Sequence, residues 1–223
     1  MEASRQGNLF DYKTLRFVLG LVAFCFPFAV SLASSARLNS ISAAYYSEAR
    51  YIYIGTLILV AVFLFAYSGH SAAESRVSRI ASVTAILTLL FPAACTNCSE
   101  NFSSRIHFIS SAVLFLILAY FCLVPFQNGT RGARGKRVRR SVIYRICGWT
   151  MLACIAGLFF ANIFLTVSTI NQFRLTYYGQ AISLIAFGIA WMVSGKMSRF
   201  IADEDELFHP FGNRSKQPGS DSI

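Results

Sequence analysis

Apolar residues in this chain gather into six long runs separated by short polar stretches. The runs cover residues 17–35, 51–68, 80–95, 106–126, 146–170 and 175–195, and none of them contains Asp, Glu, Lys or Arg. A bilayer core needs roughly 20 residues of apolar helix. Lipid offers no partner to backbone N–H and C=O, so a spanning segment is either a helix or a strand of a closed barrel. Barrel strands are runs of about ten residues with alternating polarity. These runs are longer and apolar on every face, which predicts an all-α bundle of six transmembrane helices. The run 80–95 is the shortest. It reaches across if Arg79 extends its charge to the headgroups and Val77 adds depth.

Three segments follow from this pattern: a cytoplasmic stretch 1–16, a membrane domain 17–195, and a cytoplasmic tail 196–223 with disorder expected at its end. The first run has a second reading. Arg5, Lys13 and Arg16 precede it and small residues stand at 34–36, as in a signal peptide. Its apolar run exceeds a usual signal core, so a span is the leading expectation.

Composition agrees with a membrane protein. Of 223 residues, 55% are apolar and 13% charged, against about 45–50% and 25% in ordinary soluble domains. A soluble enzyme, a disordered chain and a nucleic-acid-binding module are thereby excluded. The net charge of +10 becomes informative once it is divided by side. Segments on the side of the termini hold 16 Lys/Arg and the opposite loops hold 4. That excess marks the cytoplasmic face and predicts an inner-membrane protein with both termini inside. The densest cluster is Arg131, Arg134, Lys136, Arg137, Arg139 and Arg140, followed by Arg145. It is read as a solvated basic loop that holds this connection inside and attracts anionic headgroups, at about 1 kcal/mol per basic residue near the surface. The expected partners are therefore membrane lipids. The acidic run 203–206 is read as solvated rather than paired with this loop.

Small residues at four-residue spacing let helices approach closely in lipid. Ala153, Gly157 and Ala161, then Ala186, Ala190 and Ser194, then Ala81, Ala85 and Ala93, form such ridges. All three are expected to face the bundle interior. Phe159, Phe160 and Phe164 are expected to face lipid, and Pro27 and Pro92 to kink or end their helices.

Chemistry has few places to reside. Polar candidates collect at the outer ends of the runs: Ser42, Tyr45, Tyr46, Arg50 and Tyr53; His107 with Ser110 and Ser111; and Arg174 with Tyr177. Two readings stand. Tyrosine favours headgroup depth and forms interfacial belts; alternatively, these residues line one outward pocket. In the second case Arg50, His107 and Arg174 suit an anionic headgroup or carboxylate. His70, His107 and His209 fall on different sides or in the tail, so no metal site is expected, and no cofactor is implied. Cys95 and Cys98 form a Cys-Thr-Asn-Cys motif at an outer end, where a disulfide staple is plausible chemistry. A thiol redox centre built on this pair is the enzyme alternative, although no second outer cysteine pair accompanies it. A small-solute transporter using Asn162 is a further alternative. Asn97 and Asn101 each begin a glycosylation-type triplet, a pattern common by chance.

Several stretches together resemble a family of bacterial six-helix inner-membrane proteins of unknown function. They are Ser40–Tyr46 with Arg50–Gly55; Ile106–Phe108 with Ala112–Phe115; Tyr144–Trp149; and Phe187–Trp191 with Gly195 and Lys196. The resemblance covers roughly residues 15–200. It implies a multi-pass protein and no assigned activity. That family carries an acidic residue where Tyr51 stands and a Glu where Gln180 stands. A proton or cation function resting on those acids would be absent here.

Overall fold

A computed structural model describes residues 12–67, 71–94, 101–128 and 135–195. Cys95 and Cys98, Arg131 and Arg134, residues 1–11 and the tail 196–223 with its acidic run lie outside the described residues, whereas residues 12–16 of the expected cytoplasmic stretch belong to the first helix.

Every regular element among the described residues is helical. They are α1 (Tyr12–Ala33), a short 3-10 turn (Ser42–Tyr46), α2 (Arg50–Ala66), α3 (Ala72–Leu90), α4 (Phe102–Leu123), the one-turn α5 (Pro125–Asn128), α6 (Lys136–Phe164), the short α7 (Val167–Gln172) and α8 (Leu175–Ser194). Among the described residues, four stretches are long and apolar enough to cross a membrane: Thr14–Ala33, Phe102–Asn128, Arg137–Phe164 and Leu175–Ser194. Helix α2 is apolar but has 17 residues.

Four helices, α1, α3, α4 and α6, begin four or more residues before their apolar runs, and α3 and α6 do so by the most. Helix α3 starts at Ala72, because the Ser71 side chain accepts from the Glu74 N–H and Glu74 complements the positive helix end. The expected basic loop also shrinks, since α6 begins at Lys136; Lys and Arg are good helix formers. Its arginines are not uniformly solvated either. Arg139 and Arg145 are exposed, whereas Arg140 is only 2% exposed. Burial of that long stem on the bundle overrides the solvated-loop expectation.

Successive long helices run antiparallel and close a ring in the order α1, α2, α3, α4, α6, α8 and back to α1, with α4 also touching α8. The α1–α8 contact is backbone on backbone. A Cβ at Gly20 would lie 2.6 Å from the Met192 nitrogen, and one at Gly188 2.6 Å from the Gly20 carbonyl oxygen. Ala81 and Ala85 of α3 and Ala186, Ala190 and Ser194 of α8 are buried, as their spacing predicts. Ser78 and Ser82 donate to the carbonyls of Leu64 and Ala61 at 2.6 and 2.7 Å, joining α3 to α2. The α6 ridge is the exception. Ala153 and Gly157 are exposed, and nothing stands within 4 Å of a Cβ built at Gly157. This part of α6 turns that face away from its neighbours.

The bundle has two unlike ends. At the basic end, Tyr67, Phe121, Phe126, Tyr144, Phe187 and Trp191 pack ring on ring, with centroids 5.2–6.3 Å apart. The Arg16 guanidinium donates there to Ser194 Oγ at 3.2 Å and the Tyr67 hydroxyl at 3.0 Å. At the other end the segment 34–49 folds over the helices as a lid.

Candidate functional site

The lid is fastened at several points. Arg174 occupies the left-handed region (φ 51°) at the start of α8, and its Nε donates to the Leu38 carbonyl at 2.6 Å. The Tyr177 N–H donates to the Asn39 carbonyl at 3.0 Å. The Ile41 N–H donates to Gln180 Oε1 at 2.7 Å. Ser35 donates to Glu48 through its hydroxyl at 2.7 Å and its N–H at 3.3 Å. Those bonds, the Ser35 hydroxyl first, hold the exposed Glu48 carboxyl below the usual carboxylate range.

Beneath the lid lies a narrow cleft of about 60 Å³. Five helices and the lid contribute to its walls. The surface of these walls is almost wholly apolar. Ser42, Tyr53, His107 and Gln180 stand nearest the lid. Val60, Leu118 and Phe187 stand deeper along α2, α4 and α8. At 1.5 Å per helical residue, His107 and Leu118 are separated by about 16 Å of depth.

The ring of His107 has a structural task that its sequence neighbours did not announce. Residue 92 is proline, so the Thr88 carbonyl at the end of α3 has no N–H four residues on. His107 Nδ1 lies 3.0 Å from that carbonyl and 3.0 Å from the Phe91 carbonyl. Ser103 donates to the Pro92 carbonyl at 3.3 Å and Tyr46 to the Ala93 carbonyl at 2.8 Å. The unwound end of α3 is thus satisfied by side chains from α4 and the lid. The signal was legible in the sequence as a proline four residues after an apolar-run threonine.

The remaining candidates distribute as follows. Ser42 is buried, lies 3.0 Å from the Ser40 hydroxyl, and lines the cleft. Tyr53 lines it as well and meets Tyr45 edge-on at 6.4 Å. Tyr45 supports the exposed Arg50, whose guanidinium carbon stands 4.6 Å from its ring centroid. Tyr177 is buried, donates to the Pro27 carbonyl at 3.0 Å, and carries the Arg174 guanidinium on its ring face at 4.2 Å. Among the described residues no contact joins Arg50, His107 and Arg174, so the expected three-cation anion site is not assembled. His107 is inside the cleft, while the two arginines stack on tyrosines of the lid and of α8. Ser110 bonds Thr88 at 3.0 Å and is buried, whereas Ser111 lines the cleft. Thr56 and Gln180 also line the cleft and were not among the expected pocket residues. Of the two positions departing from the resembled family, Gln180 lines the cleft and Tyr51 is 84% exposed.

The residues named for the other chemistries are placed as follows. Asn162 is exposed and donates to the Leu158 carbonyl of its own helix at 2.8 Å. Asn101 serves as the N-cap of α4 through its side chain. Cys25, Cys122, Cys147 and Cys154 are free thiols. No group of three or more His, Cys, Asp or Glu placed to hold a metal occurs among the described residues. No protein-family model matches the chain, and neither does any curated protein or solved structure.

Proposed function

We propose that this chain is a six-span inner-membrane protein with cytoplasmic termini that binds an amphiphilic lipid in its cleft. The lid end then faces outward, and the apolar part of the lipid occupies the space between α1, α2, α4 and α8. Arg50 and Arg174 flank the lid and would meet an anionic headgroup there, each already positioned on a tyrosine face. The observation that carries this reading is the narrow, almost wholly apolar cleft beneath the lid, lined by α1, α2, α3, α4 and α8. The division of Lys and Arg supports the orientation.

The test is the lipid that copurifies with the full chain, quantified by mass spectrometry. Ser111→Phe, which fills the cleft, is expected to remove most of the bound lipid while the protein remains folded. Arg50→Ala with Arg174→Ala is expected to lower the anionic fraction of what remains bound. Unchanged lipid content in Ser111→Phe overturns the proposal.

A further inference from the structure

The cleft under the lid is closed on most sides. Its wall residues on α1 and α3, Ala23, Phe26 and Thr88, are buried. The lid above them is a fixed roof. Leu38, Ile41, Ala44 and Ala49 of the lid are buried. Hydrogen bonds tie it to α8 at Leu38, Asn39 and Ile41 and to the end of α3 through Tyr46. The lining residues that are only half-buried are Thr56 of α2, Ser111 and Phe115 of α4, and Gln180 and Leu184 of α8. Most of these stand on α4 and α8, so the cleft opens between those two helices.

Helix α6 packs against both α4 and α8, and it covers this opening over its inner half only. At the basic end α4 and α6 touch. A Cβ built at Gly148 would lie 2.5 Å from Leu123 Cγ and 3.3 Å from Cys122 Cβ. From that contact one stripe runs along each helix toward the lid, at the three- and four-residue spacing of a single face. On α4 it passes from Cys122 and Ala119, both fully buried, through half-buried Phe115 to Ala112 and Phe108, both exposed. On α6 it passes from buried Gly148 and Met151, through half-buried Ile155, to Phe159 and Asn162, both exposed. Facing stripes that are core at one end and bare at the other belong to helices that diverge. The open stretch from Met151 to Asn162 spans about 16 Å of helix, about half of a hydrocarbon core of roughly 30 Å. With the lid end outward, this crevice faces the outer leaflet.

We infer that the cleft is entered from the side, by one hydrocarbon chain of an outer-leaflet lipid that slides between α4 and α6 while the lid stays shut. This inference rests on the lipid-binding reading above and adds the route and the part of the ligand that goes in. A polar group that leaves water for walls almost wholly apolar loses its hydrogen bonds. A methylene group leaving lipid loses nothing, because lipid tails are as apolar as such a wall. The cleft, at about 60 Å³, is smaller than the ~150 Å³ cavity that holds one benzene. It therefore takes the end of a single chain, and the rest of that chain lies in the crevice. The headgroup stays at the rim, where Arg174 begins α8.

The test uses the full chain in phosphatidylcholine nanodiscs, with its native cysteines replaced by serine or alanine and Leu57→Cys as a reporter on the α2 wall of the cleft. Two thiol reagents are compared by mass spectrometry. Decyl methanethiosulfonate, which dissolves in the bilayer, is expected to modify the reporter. Its charged trimethylammonium-ethyl analogue, confined to water, is expected to leave it unmodified. Ala112→Trp, which obstructs the crevice from an exposed position, should slow the decyl reaction several-fold, and Phe108→Ala should quicken it. Glu48→Ala, which frees the lid from Ser35, should leave the rate unchanged. A rate indifferent to both crevice variants overturns lateral entry, and so does a rate raised by Glu48→Ala or modification by the charged reagent. Lipid binding survives each of those results. A folded reporter protein that neither reagent modifies overturns both readings. If Leu57→Cys does not fold, Val60→Cys on the same wall carries the same comparison.

Discussion

The two ends of the bundle are built from similar residue types and use them in opposite ways. At the basic end, Tyr67, Tyr144, Ser194 and Arg16 close on one another inside a block of aromatic rings. At the lid end, Tyr53, Thr56, Gln180 and His107 stand around a narrow, almost wholly apolar cleft. Close packing is the rule in protein interiors, and among the described residues the buried side-chain nitrogens without a hydrogen-bond partner, Arg16 Nε and Trp191 Nε1, lie within the aromatic block of the basic end. The basic end is closed by rings, whereas the lid end is where the packing opens.

The comparison breaks most completely at the α1–α8 crossing, which both ends share. Gly188→Leu places a side chain against the α1 backbone, which cannot yield as a flexible side chain can. The expected loss is about 3 kcal/mol or more, seen as absence of a monodisperse peak in detergent. Gly157→Leu, on open surface, serves as the neutral control. Next is Trp191→Ala, which empties the aromatic block at the basic end. It should cost about 3–5 kcal/mol by chemical denaturation and leave the amount of copurified lipid unchanged. Loss of that lipid would show that the ends are coupled.

Gln180→Leu acts at the lid end alone. It leaves the Ile41 N–H without its acceptor, at about 1–3 kcal/mol, and should increase amide exchange at Ile41 without changing exchange at the basic end. The smallest effect belongs to Glu48. Hydrogen bonds led by the Ser35 hydroxyl hold its carboxyl below its unfolded-state pKa, so this pairing stabilises the fold above the unfolded-state value and is lost as pH falls through the lower, folded-state value. The melting temperature of wild type should exceed that of Glu48→Gln slightly at pH 6, and the gap should close as the pH is lowered toward 3. A gap that widens in acid would contradict the assignment.

Much of the helical order was legible because six uncharged runs leave the chain few alternatives. Helix limits were not legible where a helix continues past its apolar run. Ala72–Arg79 and Lys136–Arg145 are polar yet helical, and hydropathy cannot see a helix that extends into water. The facing of small residues was legible only where a neighbour exists. Ala186 and Ala190 meet α1 and α6, while Ala153 and Gly157 repeat the same spacing on a face without a neighbour. Among site residues, charge drew attention to Arg50 and Arg174, which prove to be lid contacts. The cleft itself depends on Thr56, Ser111 and Gln180, uncharged residues whose convergence comes from three separate helices. His107 was noticed as a cation and acts as a cap for carbonyls freed by Pro92.

That cap bears on how the chain is made. Helix α3 precedes Ser103 and His107 in the chain, so the carbonyls of Thr88, Phe91 and Pro92 gain these donors only when α4 folds against it. The end of α3 is therefore complete only with α4 beside it, and the two helices are expected to form as a hairpin rather than one after the other.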